Sequence, residues 1–510
     1  MANHLFDLIR STITDPNRLF MESSDGAHMS YGAHMSYGAL MEETGRYANA
    51  LAALGIKPGD RVAVQLEKSP SVIFIYLACV RIGAVFLPLN TGYTLNELDY
   101  FISDSGAALV ICDPQAEAGL AEIAKRHNTL LETHGRDQSG SLYQKAASAP
   151  AHFADVMRGP HDLAAILYTS GTTGRSKGAM LSHDNLASNA LALVQTWHFT
   201  PNDVLIHALP VFHTHGLFVA TNVTLMAGSS LIFLPKFDAK LVLAYLNRAS
   251  VLMGVPTFYT RLLDEAGLDR EATAKMRLFI SGSAPLLADT HREWSKRTGH
   301  AILERYGMTE TNMNTSNPYD GDRVPGTVGM PLPGVEARIV DPETGTVLPQ
   351  GDIGMIEVKG PNVFKGYWNM PDKTKAEFRH DGFFITGDLG QIDERGYLSI
   401  VGRGKDLIIS GGLNIYPKEV EEEIDALEGV VESAVIGLPH PDFGEGVVAV
   451  IVREKDATLN ENAVMAGLDG RLARFKLPKR IFFVDELPRN TMGKVQKNLL
   501  RDSYKDLRFN

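Results

Sequence analysis

Cysteine is nearly absent from this chain, with 2 in 510 residues, Cys79 and Cys112. Both sit in apolar runs. That excludes a disulfide framework and marks them as small core residues in a reducing compartment. An excess of positive charge is also missing. The 49 Lys and Arg face 60 Asp and Glu, a formal charge of −11. No basic face is left for nucleic acid, so anionic ligands must be met by local cationic pockets. Long apolar runs are missing too. Val72 to Val80, the longest, stops at Arg81, well below the roughly 18 residues that cross a bilayer. The start, Met-Ala-Asn-His-Leu-Phe-Asp, has no basic region followed by an apolar one, so no signal peptide is read. The expectation is a cytoplasmic protein with neither nucleic acid nor membrane as partner.

What is present is ordinary for a globular protein: 44% hydrophobic and 21% charged residues. The length exceeds one core, so two or more domains are expected. From residue 40 to about 310, helical patterns alternate with short apolar runs at 62–66, 84–89, 108–112, 163–168, 204–209, 230–234, 251–255 and 277–281. This alternation predicts α/β layers, largely parallel sheets with helices on both faces. Ligands then gather at the carboxyl ends of the strands. From about 325 to 402, Gly and Pro become frequent and the apolar segments shorten (335–340, 353–359, 397–401), which predicts a β-rich subdomain. Beyond Gly402-Arg403-Gly404-Lys405-Asp406 the pattern predicts a strand, a helix from Pro417, strands at 431–437 and 447–452, another helix and a strand at 480–484. That is a separate, smaller α+β domain. Residues 26–31 and 32–37 repeat the same six letters, Gly-Ala-His-Met-Ser-Tyr. A lone tandem copy reads as an insertion or scar, not a repeat architecture.

Residues 167–178 read Leu-Tyr-Thr-Ser-Gly-Thr-Thr-Gly-Arg-Ser-Lys-Gly. They are predicted to leave a buried strand and enter a helix. Glycines let backbone N–H groups approach an anion, hydroxyls donate to its oxygens, and Lys177 and Arg175 offset its charge. The loop suits a polyphosphate. It is not a Walker A loop, because Ser176 precedes Lys177 instead of following it. The plainer alternative is a flexible linker.

Four further segments carry chemistry. Tyr306-Gly307-Met308-Thr309-Glu310 follows the apolar stretch 301–303. A hydroxyl beside a carboxylate can bind phosphate and Mg²⁺ together, although Thr-Glu also resembles a helix cap. Thr386-Gly387-Asp388 follows the run 383–385, where a carboxylate can accept two hydroxyl hydrogen bonds or merely make a turn. Gly282-Ser283-Ala284-Pro285 follows a strand. Near the C-terminus, Pro488-Arg489-Asn490-Thr491-Met492-Gly493-Lys494 has no periodicity. His213-Thr214-His215-Gly216 has two histidines but no accompanying ligands for zinc.

Together these segments resemble the acyl-adenylate-forming superfamily of acyl-CoA synthetases, luciferases and peptide-synthetase adenylation domains. Over essentially the whole length the chain resembles its malonyl-CoA synthetases. The strings that carry this are His-Ala-Leu-Pro-Val-Phe-His-Thr-His-Gly, Ser-Gly-Ser-Ala-Pro-Leu-Leu and Glu-Arg-Tyr-Gly-Met-Thr-Glu-Thr-Asn-Met. The resemblance implies ATP-dependent ligation of malonate, and of methylmalonate, to CoA through an acyl-adenylate, releasing AMP and pyrophosphate. ATP, Mg²⁺ and CoA are the implied cofactors and co-substrates.

It also implies site roles. Thr169, Ser170, Gly171, Thr172, Thr173, Gly174 and Lys177 hold the phosphates. Thr309 meets the α-phosphate and Glu310 the metal. Gly282, Ser283, Ala284 and Tyr306 meet adenine, Asp388 the ribose diol, and Arg403 the nucleotide. Many relatives carry a second glycine where Ser283 stands. Lys494 is the catalytic lysine, because a carboxylate attacking a phosphate needs a bridging cation. The implied domains are 1–402, a hinge at 403–406 centred on Lys405, and a mobile C-terminal lid at 407–510. There Gly411, Gly412 and Leu413 admit the thin arm of CoA. His213, Thr214 and Met313 line a small acyl pocket. Arg261 and Arg305 read a second carboxylate, unless each forms a structural ion pair, such as Arg305 with Glu304. A lysine acetyltransferase and deacetylase acting on Lys494 remain open as partners. Two rival readings remain: loading of a carrier-protein thiol, and a nucleotide-sensing module.

Overall fold

The computed structural model describes residues 3–24, 34–169, 176–410, 413–440, 443–455, 457–469, 471–472, 474–490 and 493–509. The chain divides into two compact units. The first holds Met1–Glu336 and Val358–Phe384, the second Ala337–Glu357 and Ile385–Asn510. Segments 337–357 and 385–402, expected to end the N-terminal domain, fall with the second unit.

Two large sheets organise the first unit. The six-stranded one runs in the order Leu130–Thr133, Leu109–Cys112, Arg61–Gln65, Val85–Pro88, Leu163–Thr169, Lys177–Ser182. All neighbours are parallel except the last pair. In the nine-stranded sheet a parallel centre joins Leu303–Met308, Leu278–Ser281, Val251–Gly254, Val204–His207, Ser230–Phe233 and Leu19–Ser23. His34–Ser36, Asn312–Ser316 and Met330–Pro331 add antiparallel edges. Parallel strands need crossovers, and the intervening helices supply them. Pro70–Ile82 is apolar all round and buried at every residue, as a helix enclosed by protein must be. Its Tyr76 ring lies 5.4 Å from Phe86 and 5.6 Å from Phe218.

Each strand expected from an apolar run in this region is present within a residue or two. Three local expectations are corrected. The chain after the phosphate loop enters a strand, Lys177–Ser182, not a helix. Lys177 pairs with Thr169 across an antiparallel ladder, and the helix His183–Thr196 begins only after the Ser182 cap. Tyr306 lies inside the strand Leu303–Met308, and the chain doubles back through Thr309 and Glu310 into Asn312–Ser316. Thr386, Gly387 and Asp388 lie inside the strand Phe384–Ile392, not after it.

In the second unit, strand Phe384–Ile392 pairs antiparallel with Leu398–Arg403. A five-stranded sheet follows, built on the long hairpin Val430–His440 with Gly444–Arg453. Alternation sorts its side chains. Val435, Val447, Ala449 and Ile451 face helices Pro417–Asp425 and Glu461–Leu468. Ala434, Ile436, Val448 and Val450 share the other face with Leu500 of helix Lys497–Tyr504. Among the described residues no helix is long and apolar enough to cross a membrane.

Candidate active site

Thr169 ends its strand and Lys177 begins the next, so the two frame the phosphate loop from opposite sides. Ser170 to Arg175 lie outside the described residues. The Lys177 ammonium stands 3.4 Å from Glu377 Oε1 and 4.2 Å from the centre of the Tyr367 ring. Lys373 Nζ reaches the same Glu377 oxygen at 2.8 Å. The Tyr367 hydroxyl lies 2.7 Å from Glu377 Oε2 and 3.0 Å from Glu310 Oε1. Glu310 is buried. Lys177 and Glu310, named from separate motifs, are thus linked through two side chains that the sequence reading did not single out. One buried carboxylate of this kind fits Mg²⁺, which takes one or two carboxylates and draws its other ligands from phosphates and water. Among the described residues no cluster of three or more His, Cys, Asp or Glu could cage a metal unaided.

A second buried cluster is built around Arg305. Its strand carries it into the interior, where it is 3% exposed. Its Nε and Nη2 have no hydrogen-bond partner among the described residues. Neighbouring Glu304 points the other way, as alternation on a strand requires, and accepts instead from the Gly326 amide (3.3 Å). The guanidinium packs on Gly282 so closely that a Cβ there would stand 2.4 Å from Cζ. This is why the Gly282 position excludes a side chain. Burial lowers the Arg305 pKa to about 9, which leaves it charged at neutral pH.

His215 is fully buried, and its Nδ1 lies 3.2 Å from Ser283 Oγ. Burial, then the Arg305 charge, hold its pKa well below the ordinary histidine value. The ring is therefore neutral. Its Nε2 has no partner among the described residues. Ser283 adopts φ +71°, a conformation glycine takes freely and serine does not. Thr214 and Met313 are both buried, at 2% exposed.

His215 opens a wide π-type turn, His215–Thr221, a form common at functional sites. The Gly216 carbonyl accepts from His207 Nε2 (2.9 Å) and Thr221 Oγ1 (3.0 Å). Buried Lys68 donates to His207 Nδ1 (3.0 Å). His213 sits at the start, its Nδ1 accepting from the His215 amide (3.2 Å). Arg261 is not brought to Arg305's interior position. Helix Pro256–Leu263 buries Phe258, Tyr259 and Leu262 and leaves Arg261 exposed.

In the second unit, Arg403 Nε pairs with Asp388 Oδ1 at 2.7 Å across the ladder. Lys405 occupies a short 3-10 turn, Gly404–Asp406. Lys494 follows a turn tied by Asn490, whose Oδ1 accepts from the Lys494 amide (2.9 Å). Arg489 braces that turn, donating to the Gly493 carbonyl and pairing with Glu432. The residue Lys494 as a whole remains exposed. Desolvation at its ammonium, then the Arg403 charge, nonetheless lower its pKa below the ordinary lysine value, with Asp388 and Asp406 acting the other way. Gly411, Gly412 and the Leu413 side chain lie outside the described residues, as do Thr491 and Met492.

A first unit of two large, mainly parallel sheets and a smaller second unit match the fold of the AMP-binding enzymes. Residues 15–368 match the AMP-binding enzyme family and residues 419–494 the AMP-binding enzyme C-terminal domain, so the chain belongs to the AMP-binding enzymes. It is similar to the crystal structure of ATP-bound MatB from Rhodopseudomonas palustris, with 66% identity, 99% of each chain covered and a TM-score of 0.96. A malonate–CoA ligase from Arabidopsis thaliana is 35% identical over 509 residues, 91% of this chain and 81% of the relative. A feruloyl-CoA synthase from Amycolatopsis sp is 36% identical over 470 residues, 91% and 93%.

Proposed function

We propose that this protein ligates malonate to CoA at the expense of ATP, through a malonyl-adenylate, with methylmalonate as a second substrate. The observation that carries the choice of acid is the buried Arg305, whose Nε and Nη2 have no hydrogen-bond partner among the described residues, beside the neutral ring of His215. A monocarboxylic acid would leave that guanidinium unsatisfied. The second carboxylate of malonate satisfies it with charge-assisted hydrogen bonds. The similarity to MatB and to a malonate–CoA ligase points the same way.

In this reading Thr169, Lys177 and the loop between them hold the β- and γ-phosphates. Thr309 donates to the α-phosphate. Glu310 holds Mg²⁺, which when bound offsets phosphate charge. Asp388, Arg403, Tyr306 and the Gly282–Ala284 turn hold the nucleoside. Lys494 stabilises the charge that develops as one anion attacks another. CoA thiol then displaces AMP, with Gly411 to Leu413 along the pantetheine path and Lys405 at the hinge. We assign the protein to the cytoplasm. Lys494 is the position at which acetylation would silence the first step.

A panel of short mono- and dicarboxylates, assayed for CoA-dependent AMP release, tests the reading. Malonate should lead and acetate, propionate and butyrate should be poor. A monocarboxylate that outruns malonate refutes the choice of acid.

A further inference from the structure

Lys68 is buried, and the roles given above leave it unused. It follows the strand Arg61–Gln65 of the six-stranded sheet and reaches across to His207, the last residue of Val204–His207 in the nine-stranded sheet. Its Nζ donates to His207 Nδ1 (3.0 Å) and to the His207 carbonyl (2.8 Å). Burial lowers the Lys68 pKa well below the ordinary lysine value. Both bonds survive loss of the charge, because an amine keeps two N–H groups where an ammonium has three.

The His207 ring passes this hold onward. Burial keeps its pKa well below the ordinary histidine value, so the ring is neutral and carries one proton. Nε2 faces the Gly216 carbonyl at 2.9 Å, and a carbonyl can only accept. The proton therefore sits on Nε2, and Nδ1 is the acceptor that Lys68 satisfies. The Gly216 carbonyl also accepts from Thr221 Oγ1 (3.0 Å), which occupies its second lone pair. Gly216 is pressed against Pro210 as well, where a Cβ would stand 2.1 Å from the carbonyl oxygen. The π-type turn is thus fixed at its second residue, and His215 is its first. His215 in turn meets Ser283 at 3.2 Å, next to the Gly282 that packs on the Arg305 guanidinium.

We propose that Lys68 and His207 are positioning residues for the acid, a relay of hydrogen bonds from one sheet to the other that sets the turn holding His215 beside Arg305. Neither acts on substrate directly. The proposal rests on the reading above of Arg305, beside His215, as the group that meets the second carboxylate.

Steady-state kinetics with malonate, butyrate and ATP, beside thermal unfolding, test the relay. Lys68→Met keeps the stem and removes both N–H groups. The malonate KM should rise about tenfold or more, since a misplacement of about 1 Å costs up to about a hundredfold. The ATP KM, and kcat/KM for butyrate, which offers no second carboxylate, should stay within about twofold. His207→Leu should behave in the same way. His207→Gln keeps an amide N–H near the place of Nε2 and should stay within about threefold of the parent protein.

A lysine that merely holds the two sheets together predicts a lower unfolding temperature with malonate, butyrate and ATP affected alike. That result, an unchanged malonate KM in Lys68→Met, or equal losses in His207→Leu and His207→Gln, overturns the relay. If Lys68→Met fails to fold, the two His207 variants decide, and the reverse. Arg305→Met separates this failure from a failure of the underlying reading. If it leaves the malonate KM unaltered, Arg305 does not meet the second carboxylate, and the relay falls with that reading.

Discussion

Replacing Arg305 by methionine, which keeps length and removes charge, should separate binding from folding. A guanidinium 3% exposed, with Nε and Nη2 unpartnered among the described residues, is a desolvated cation whose cost those residues do not recover. Its removal should leave thermal stability unchanged or raise it, whereas most core changes lower it. The loss should appear only with substrate. Truncating one partner of a buried hydrogen-bonded charge pair costs about 2–5 kcal/mol. At about 1.4 kcal/mol per tenfold, kcat/KM for malonate should fall roughly thirty- to several-thousand-fold. The KM for ATP should stay within about twofold. Butyrate, lacking the second carboxylate, should lose nothing and gain from the added apolar surface. The assay is AMP release across malonate, ATP and butyrate series, beside thermal unfolding of both proteins. A variant that melts several degrees lower yet binds malonate normally would show Arg305 to be a structural cation, and the argument for a dicarboxylic substrate would fall with it.

Lys494→Ala should cut adenylation by roughly 10²–10³-fold, the loss expected on deleting one preorganised donor, while thioester formation from supplied malonyl-adenylate survives; equal loss in both steps counts against it. The lowered pKa of Lys494 fixes the sign of a pH effect. The ammonium is the working form, so adenylation should fall as pH rises through a value below that of an ordinary lysine, and the thioester step should not follow. Ser283→Gly removes a left-handed serine that costs about 1–2 kcal/mol, so the protein should unfold at higher temperature. It also removes the hydroxyl that contacts His215 Nδ1, so the malonate KM should rise while the ATP KM holds. Lys405→Pro, which fixes φ, should impair the thioester step more than adenylation.

How far the sequence carries the structure depends on which force sets each element. Apolar runs such as 62–66 and 251–255 are buried on both faces, and their strands, Arg61–Gln65 and Val251–Gly254, lie within a residue or so of them. The strand Lys177–Ser182 was not legible. Lys-Gly-Ala-Met-Leu-Ser contains little β-branching, and what makes it a strand is the ladder with Leu163–Thr169, a tertiary effect that overrides propensity. Arg305 was legible as a candidate because a cation beside Tyr306 is conspicuous. Arg261 was equally conspicuous, and helix phase alone turned it outward. His215 was passed over for His213. The signal that would have distinguished them is Gly216, whose Cβ would stand 2.1 Å from the Pro210 carbonyl oxygen, a mark of a tight turn burying the residue before it. Tyr367 and Glu377 had no local signal, since each acquires its role only by meeting Glu310 and Lys177 in space.

The cations proposed above to meet substrate differ in what each holds beforehand. Lys177 has Glu377 and Arg403 has Asp388, each within 3.4 Å. A phosphate or ribose that meets these groups exchanges one partner for another, and the net gain is small. Among the described residues Arg305 Nε and Nη2 have no such partner to give up. A carboxylate placed there gains the whole interaction and removes a standing desolvation cost. Nucleotide binding by exchange and acid binding by satisfaction are therefore unequal in how sharply they discriminate. A site whose buried polar groups are left unpaired rejects the analogue lacking the matching group by as much as about 10⁴–10⁵. Selectivity for the acid should accordingly survive changes that weaken ATP binding, such as Lys177→Ala. The malonate-to-butyrate ratio in that variant should match the parent protein even as turnover falls. A ratio that collapses along with ATP affinity would mean that the acid is chosen by the phosphates' positioning and not by Arg305.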